Sequence, residues 1–262
     1  MAWGLAAWVL LAAIAAHISV NMLNEYFDYK SGLDLHTERT PFSGGSGALP
    51  AMPEALSAVG WGGLIALLIT VIIGCFLIQL RGWALLPLGL LGCAIVLTYT
   101  QWINKMPLLC LIAPGLGFGS LMVMGTQLVL TGHYSMPALL VSLVPFFLVN
   151  NLLLLNQFPD KDADERAGRR HLLIIYGNDA ARMVFALFNL CAFITVISAL
   201  ALYASLPWSL LAILPALPAA NATWRLFHFN DDIEALKPAM ALNVIVNLAT
   251  PALLGMALLL SR

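Results

Sequence analysis

Residues 150–170 read NNLLLLNQFPDKDADERAGRR, an apolar segment that runs directly into a cluster of charges. Two of the acidic residues, Asp160 and Asp164, stand four positions apart, so on a helix they share one face. Like charges placed this way repel each other unless a positive group lies between them. The stretch therefore predicts a cation site at the end of an apolar helix.

A second stretch near the start of the chain, residues 21–34, reads NMLNEYFDYKSGLD. It repeats the pattern Asn-x-x-x-Asp, because Asn24 and Asp28 are spaced as Asn156 and Asp160 are. We expect the two stretches to face each other and to hold one site for a metal ion and an anion.

The composition around these stretches is that of a membrane protein. Of the 262 residues, 61% are hydrophobic and only 10% are charged, whereas a soluble domain carries about 25% charged residues. The apolar residues form runs of about 20, long enough to cross a hydrocarbon core. We predict an all-α multispan transmembrane helical bundle with eight spans, at residues 2–23, 55–80, 83–102, 107–130, 136–155, 180–204, 207–227 and 238–260.

The charges predict an orientation for this bundle. With eight spans, ten of the twelve Lys and Arg residues and all thirteen Asp and Glu residues fall at the end that carries the two acidic stretches. Since basic residues concentrate on the cytoplasmic side, we expect that end to be cytoplasmic. The net charge of −1 gives no indication of nucleic-acid binding, and we expect none.

The polar residues at this end have two interpretations. Ordinary solvated loops would account for charges alone. Asn21, Asn24, Asn150 and Asn151, however, continue the polar character into apolar spans, where an amide is costly unless it pairs or lines a cavity. We therefore favour a functional site over plain loops.

Asp and Asn oxygens are hard ligands, which suits Mg²⁺ that completes its shell with waters and phosphates. Basic residues interleaved among the acids, such as Lys30, Arg39 and Arg169, are suited to contact phosphate. At the end of a membrane bundle, this combination predicts a diphosphate with an isoprenoid tail lying among the helices. Mg²⁺ would then assist the departure of the diphosphate as a Lewis acid.

Two motifs carry a resemblance to a known family. They are Asn21-x-x-Asn24-Glu25-x-x-Asp28-x-x-x-Gly32-x-Asp34 and Asn156-x-x-x-Asp160-x-x-x-Asp164-x-x-x-Gly168-Arg169. Together they resemble the two aspartate-rich motifs of the UbiA superfamily of intramembrane prenyltransferases. The resemblance runs over nearly the whole chain and is greatest to the 1,4-dihydroxy-2-naphthoate polyprenyltransferase branch. The Asp28 to Asp34 spacing, Tyr99-Thr100 and the paired Asn150-Asn151 support that branch.

The resemblance implies a single prenyltransferase domain of two pseudo-repeats, about residues 1–131 and 132–262. It implies Mg²⁺-dependent transfer of an isoprenoid chain from a polyprenyl diphosphate to an aromatic acceptor such as dihydroxynaphthoate, at the surface of a lipid bilayer. Asp28, Asp160 and Asp164 would be catalytic. The implied metal ligands are Asn24, Asp28, Asp34, Asp160 and Asp164, and the implied diphosphate contacts are Lys30, Arg39, Lys105, Asn156 and Arg169.

The resemblance also implies a role for Tyr99, and Tyr99, Lys105 and Arg39 each have a plainer interpretation as well. Tyr99 would face the cation or the acceptor, or else belong to an interfacial aromatic belt. Lys105 would contact diphosphate, or only set the topology. Arg39 lies in the long loop ERTPFSGGSGALP, which would order over the substrate as a lid or remain a flexible linker.

The chain departs from the family pattern in three ways. Glu25 stands where the family usually has Asp, and Arg169-Arg170-His171 replaces the usual Lys-x-Thr. The family fold has nine helices, and its first motif follows the second helix. In this chain the first motif follows the first span. We therefore expect the chain to lack the first helix of the family.

Two other functions remain open from the sequence. One is a secondary transporter, although transporters place coupling acids near the midplane and no acid lies within a predicted span. The other is a catalytically inactive family member that serves as a scaffold.

Overall fold

A computed structural model describes residues 3–204, 209–229 and 232–261 as a helical bundle, and these residues contain no strand. The α-helices are α1 Trp3–Ser31, α2 Ala48–Ala51, α3 Leu56–Arg81, α4 Leu86–Thr98, α5 Pro107–Gly115, α6 Met122–Thr131, α7 Met136–Arg166, α8 Leu172–Tyr203, α9 Ser209–Ile213, α10 Ala216–Phe227 and α11 Ile233–Leu260. A π-helix, Leu116–Leu121, joins α5 to α6. Single 3₁₀ turns at Leu33–Leu35, Pro53–Ala55, Trp83–Leu85 and Ile103–Lys105 lie between helices.

Seven apolar helical segments in the described part of the chain are long enough to cross a membrane: Trp3–Ser31, Pro53–Arg81, Pro107–Thr131, Met136–Arg166, Leu172–Tyr203, Leu210–Phe227 and Ile233–Leu260. The third runs through α5, the π-helix and α6, and the sixth runs from within α9 through α10. The seven segments confirm the prediction of an all-α multispan membrane protein. The predicted span at residues 83–102 is a shorter apolar helix, Trp83–Thr98. Its 16 residues would reach about 24 Å, less than a hydrocarbon core of about 30 Å. The count of eight spans stays a prediction, as does the division into two pseudo-repeats.

Several predicted span boundaries were wrong because a helix does not end where its hydropathy falls. α1 runs eight residues past the predicted end at residue 23, and α7 runs eleven past residue 155. α11 begins at Ile233, before Pro238, because the Asp232 side chain accepts hydrogen bonds from the first backbone amides. The predicted starts at Ala2 and Pro207 lie outside the described residues. Both acidic stretches are therefore helical over most of their length, the first up to Ser31 and the second up to Arg166.

Small residues and amides bring the helices together. On α1, the Ser19 hydroxyl donates a hydrogen bond to the carbonyl of Gly63 on α3 at 2.9 Å. On α7, the Asn151 amide donates to the carbonyl of Phe185 on α8 at 2.9 Å, and the Asn150 amide oxygen accepts from the Gly115 N–H at 2.6 Å. These paired asparagines tie α7 to two neighbours near the middle of the helix.

An apolar core lies directly beneath that end. It is formed by α7, α8, α10 and α11, and its buried members include Leu155, Phe158, Leu173, Phe185 and Met240. Phe158 lies two residues before Asp160, and Leu172 begins α8 immediately after His171. The core therefore fixes the height and rotation of both segments that carry the second acidic motif.

The glycine run 115–119 departs from regular helix geometry and lets a neighbouring helix come close. The π-helix departs from regular α-geometry within the run, and Gly115 and Gly119 lie against the backbone of α7. A Cβ on Gly119 would fall 2.5 Å from the Phe146 nitrogen, and one on Gly115 would fall 2.0 Å from the Phe146 oxygen. Only glycine fits at this helix crossing.

Replacing Gly119 by alanine should therefore destabilise the bundle. Forcing one methyl into a backbone contact costs about 1–3 kcal/mol or more, which should lower the thermal unfolding midpoint of purified protein in detergent. Gly117→Ala is the matched control, because a Cβ at Gly117 would meet nothing within 4 Å. Equal midpoints for the two variants would show that the close crossing is not present in the folded protein.

Candidate active site at the polar end of the bundle

The first acidic motif begins on the last two turns of α1. The Asn24 amide donates a hydrogen bond to Asp28 Oδ2 at 2.9 Å, and the Thr100 hydroxyl donates to Asn24 Oδ1 at 2.8 Å. Asp28 is buried. Thr100 thus holds Asn24 from a second segment, and Asn24 holds Asp28 in turn, so the buried Asp28 carboxylate has little freedom to rotate. The α1 end of the site is therefore rigid.

Asp34 follows a sharp turn at the end of α1. Gly32 adopts the left-handed conformation with φ of 81°, which glycine tolerates without steric cost, and turns the chain into the 3₁₀ segment Leu33–Leu35. Asp34 is buried, and its Oδ2 has no hydrogen-bond partner. Burial, together with the nearby carboxylates of Asp28 and Glu25, raises the pKa of Asp34 to about 7. Because burial and neighbouring negative charges destabilise the ionised form of Asp34, a nearby cation would stabilise it.

The second motif lies on the last turns of α7 and in the turn that follows. Asp164 is 2% exposed, and both of its oxygens are engaged. Oδ1 accepts from Arg169 Nη1 at 2.9 Å, and Oδ2 lies 3.1 Å from Nε2 of the buried His171. Gly168, with φ of 80°, reverses the chain so that both partners return to the helix end.

Arg169 joins the two motifs. Its Nη1 contacts Asp164 and its Nη2 contacts Asp28 Oδ1, a residue 141 positions away in the sequence. Burial of the guanidinium opposes its charge, but the carboxylates of Asp164 and Asp28 outweigh burial and raise the pKa of Arg169 above its ordinary value. The two predicted stretches therefore do face each other, across one arginine.

A run of small residues, Ser43–Ser46, lies over the remaining acids. We call residues 43–46 the SGGS segment. The Ser43 hydroxyl and the Gly44 backbone interact with Asp160, and the Ser46 hydroxyl donates to Glu25 Oε1 at 2.6 Å. Between them, a Cβ on Gly45 would fall 3.2 Å from Asp34 Oδ1. The SGGS segment therefore lies over the acids, and the closure of its loop over a substrate stays a prediction.

A cavity of about 360 Å³ adjoins this cluster on the other side of Arg169. Three predicted diphosphate contacts, Lys30, Lys105 and Arg169, line it together with Asp28. The fourth predicted cation, Arg39, lies elsewhere: its guanidinium rests against Gly47, close enough to Asp34 to affect the charge of that carboxyl. The cavity concentrates positive charge beside the acids, which favours an anionic ligand.

The predicted metal ligands lie close together, but several of their oxygens already contact other groups of the protein. The described residues contain no set of three His, Cys, Asp or Glu side chains already arranged around a metal position. Asp34 Oδ2 and Asp160 Oδ1 are nevertheless buried carboxylate oxygens without a hydrogen-bond partner, and hard oxygen donors of this kind are those that Mg²⁺ selects. The donor set fits a divalent cation.

The last two predicted site residues lie near the cluster. Tyr99 follows α4, its hydroxyl is 3.9 Å from Cys110 Sγ, and burial raises the pKa of its phenol well above the ordinary value. It thus points into the bundle, although its contact with a cation or an acceptor stays a prediction. Asn156 is half-buried on α7, one turn before Asp160, and its role also stays a prediction.

Sequence reasoning missed the partners of the acids. His171 was visible only as a departure from the family pattern, Thr100 only as a neighbour of Tyr99, and the SGGS segment only as part of a loop. The available signals were a histidine seven residues after Asp164 and five consecutive small residues, 43–47. Neither signal shows which acidic residue is contacted, because each contact joins segments that are separate in the sequence.

Replacing His171 by leucine should weaken the folded state. It removes a partner from the buried carboxylate of Asp164, and leaving such a group unsatisfied costs about 1–3 kcal/mol. The thermal unfolding midpoint should fall by several degrees, and His171→Gln, which keeps an N–H donor, should recover part of the loss. His228→Leu, at an exposed histidine outside the site, is the control. Identical midpoints for the leucine and glutamine variants would contradict the Asp164 contact.

Comparison with known proteins gives consistent matches. The model of the UbiA prenyltransferase family matches residues 1–245. The chain is 28% identical over 210 residues to a 1,4-dihydroxy-2-naphthoate octaprenyltransferase of Bacillus subtilis (strain 168). That match covers 76% of this chain and 64% of the relative. Among solved structures, an apo UbiA homologue from Aeropyrum pernix K1 matches with a TM-score of 0.74 at 17% identity, covering 99% of this chain and 90% of that one.

Proposed function

Because the chain belongs to the UbiA prenyltransferase family, we propose that it transfers an isoprenoid chain from a polyprenyl diphosphate to an aromatic acceptor. The observation that carries the proposal is the meeting of Asp28 and Asp164 across Arg169 beside a cationic cavity. The relative from Bacillus subtilis favours a dihydroxynaphthoate acceptor and a long prenyl chain.

The acids at this end would hold Mg²⁺. Asp34 and Asp160 offer unpartnered buried oxygens, and Asp28 and Asp164 lie beside them with Asn24. When bound, Mg²⁺ supplies Lewis-acid assistance to the departure of diphosphate. Such a function also explains why the protein collects so many carboxylates at the end of an apolar bundle, where unpaired charge is costly.

The basic residues of the cavity would receive the diphosphate. Lys30, Lys105 and Arg169 present positive charge to one space, and charge-assisted hydrogen bonds from them would stabilise the leaving group as its charge grows. The C1–O bond of the donor would then break with its electron pair leaving on diphosphate, the acceptor ring carbon would bond to C1, and that ring carbon would pass its proton to the released diphosphate. Tyr99, partly buried close to Arg169 and Asp164, would shield the allylic cation from water.

The bundle itself accounts for the location of this chemistry. The chain is an integral multi-pass membrane protein, and an isoprenoid tail would lie among apolar helices while its head reaches the polar end. We propose that this end is cytoplasmic, because ten of the twelve basic residues were assigned to it.

Radiolabelled prenyl diphosphate, incubated with membranes that contain the protein, tests the proposal. We expect labelled product with dihydroxynaphthoate, loss of the product with EDTA, and its recovery when Mg²⁺ is restored. Membranes without the protein are the control. No metal-dependent transfer to any aromatic acceptor would rule out the enzyme, and labelled substrate that crosses vesicles unchanged would favour a transporter.

A further inference from the structure

We infer that Arg169 is a built-in counter-cation for Asp28 and Asp164, and that it makes metal binding depend on diphosphate binding. Without a metal, the guanidinium neutralises the two carboxylates. A divalent cation reaches them only when Arg169 leaves, and Arg169 leaves readily only when a diphosphate is present to receive it. This inference rests on the proposed function, because it concerns the metal and diphosphate of that same site.

The first step of the argument is that Arg169 occupies the position between the two motifs. Its two terminal nitrogens contact one oxygen each of Asp28 and Asp164, whose side chains are 10% and 2% exposed. The remaining oxygens are also taken, because Asn24 donates to Asp28 Oδ2 and His171 contacts Asp164 Oδ2. An incoming cation therefore has to displace the guanidinium to reach either Oδ1.

The second step concerns charge. A divalent cation placed next to an unmoved guanidinium would meet a like charge within a few ångströms, in surroundings that screen it poorly. Displacement avoids that repulsion but leaves a buried cation without partners, which is costly as well. Binding of a metal to Asp28 and Asp164 without diphosphate is therefore opposed in both arrangements.

The third step concerns the place to which the guanidinium could move. Lys30 and Lys105 line the same cavity as Arg169, so moving the guanidinium away from the two carboxylates and towards these lysines would add repulsion unless an anion is bound. A diphosphate carries enough negative charge to accept all three. Metal and diphosphate thus each favour the binding of the other, and this coupling is reciprocal.

The coupling is tested by measuring Mn²⁺ binding to the purified protein with electron paramagnetic resonance. The probes are Mn²⁺ alone and Mn²⁺ with methylene diphosphonate, and affinities are expressed against free Mn²⁺. For the unmodified protein we expect at least about tenfold tighter Mn²⁺ binding with the diphosphonate. In Arg169→Gln, Mn²⁺ alone should bind at least about tenfold more tightly than to the unmodified protein, and the effect of the diphosphonate should shrink.

Arg170→Gln is the matched control. Arg170 is the next residue in the chain, and its side chain is exposed, so this variant should keep the coupling of the unmodified protein. Arg169→Lys covers the case in which Arg169→Gln fails to fold. One ammonium group cannot span both carboxylates, so Mn²⁺ alone should again bind more tightly than to the unmodified protein.

Equal affinity for Mn²⁺ alone in the unmodified protein and in the folded Arg169 variants would overturn the inference. The transfer assay on the same preparation separates this failure from failure of the proposed function. Prenyl transfer without coupling removes the inference only, whereas coupling without prenyl transfer supports the inference and removes the proposed enzyme.

Discussion

Replacing Asp160 by asparagine should lower the rate of prenyl transfer by about 100-fold or more, the usual loss when one charge-stabilising group is removed from an active site. Asn has nearly the same shape but no charge, so it attracts a divalent cation far less. Asp160 Oδ1 is buried and has no hydrogen-bond partner, so the native carboxylate oxygen is free to bind a metal. The initial rate of labelled product formation in membranes measures the effect.

The fold should survive this substitution. Asp160 lies at the end of α7 beside Asp164, and removing one of two neighbouring negative charges relieves repulsion. We therefore expect an unfolding midpoint that is unchanged or slightly raised. Asp162→Asn is the control, since Asp162 lies on the same helix but is exposed, and it should keep full activity. Native rates in the Asp160 variant would mean that this carboxylate takes no part in the transfer.

The fold class could be predicted because it depends on local sequence patterns. The meeting of the two motifs could be predicted because both repeat one polar pattern at the end of an apolar segment. Apolar runs of sufficient length specify spanning helices, and the Asn-x-x-x-Asp pattern puts its polar groups on one helix face. The helix ends could not be predicted from hydropathy. α1 continues to Ser31 and α7 to Arg166, because backbone hydrogen bonding in a helix does not require an apolar environment.

The partners of the acids could not be predicted for a different reason. Whether Arg169 would point to a phosphate or to Asp28 depends on where α1 and α7 end relative to each other. That relation follows from packing across the whole bundle, in which Ser19 holds α1 to α3 and Asn150 and Asn151 hold α7 to α5 and α8. The sequence identified Arg169 as part of the site. Its contact with both motifs required the arrangement of the whole bundle.

Glu25 illustrates the same limit at a position where the chain departs from its family. The side chain of Glu25 is one methylene longer than that of Asp. In the structure, this side chain accepts hydrogen bonds from the Ser46 hydroxyl at 2.6 Å and the Ser46 N–H at 3.4 Å. Glu25 therefore anchors the SGGS segment, and that segment becomes the second place where a single substitution should have a large effect.

Replacing Gly44 by valine should lower prenyl transfer by about 10- to 100-fold. Gly44 has φ of 87°, where a non-glycine residue costs about 1–2 kcal/mol, and its Cβ would fall 3.0 Å from the Arg39 Cα and the Glu38 carbonyl oxygen. Because those atoms belong to the backbone, the segment has to move away. Asp160 would then lose its interaction with Ser43 and Gly44, while trypsin should cleave after the exposed Arg39 faster than in the unmodified protein.

Gly132→Val is the control for backbone strain. Gly132 has φ of 85°, and the nearest atom to its Cβ would be Arg81 Nη1 at 3.9 Å, at the opposite end of the bundle. The two variants share the conformational penalty, so only Gly44→Val should lower transfer sharply. Equal losses in both would attribute the effect to general destabilisation.

A double variant then tests whether the segment acts through Asp160. If the SGGS segment contributes by holding the Asp160 carboxylate, adding Gly44→Val to Asp160→Asn should cost much less than it costs alone, because the group it would position has already lost its charge. Contacting residues are expected to be non-additive in this way, whereas independent effects add. Full additivity would mean that the segment affects transfer by another route, through Glu25 and Asp34, and that Asp160 is positioned by α7 alone.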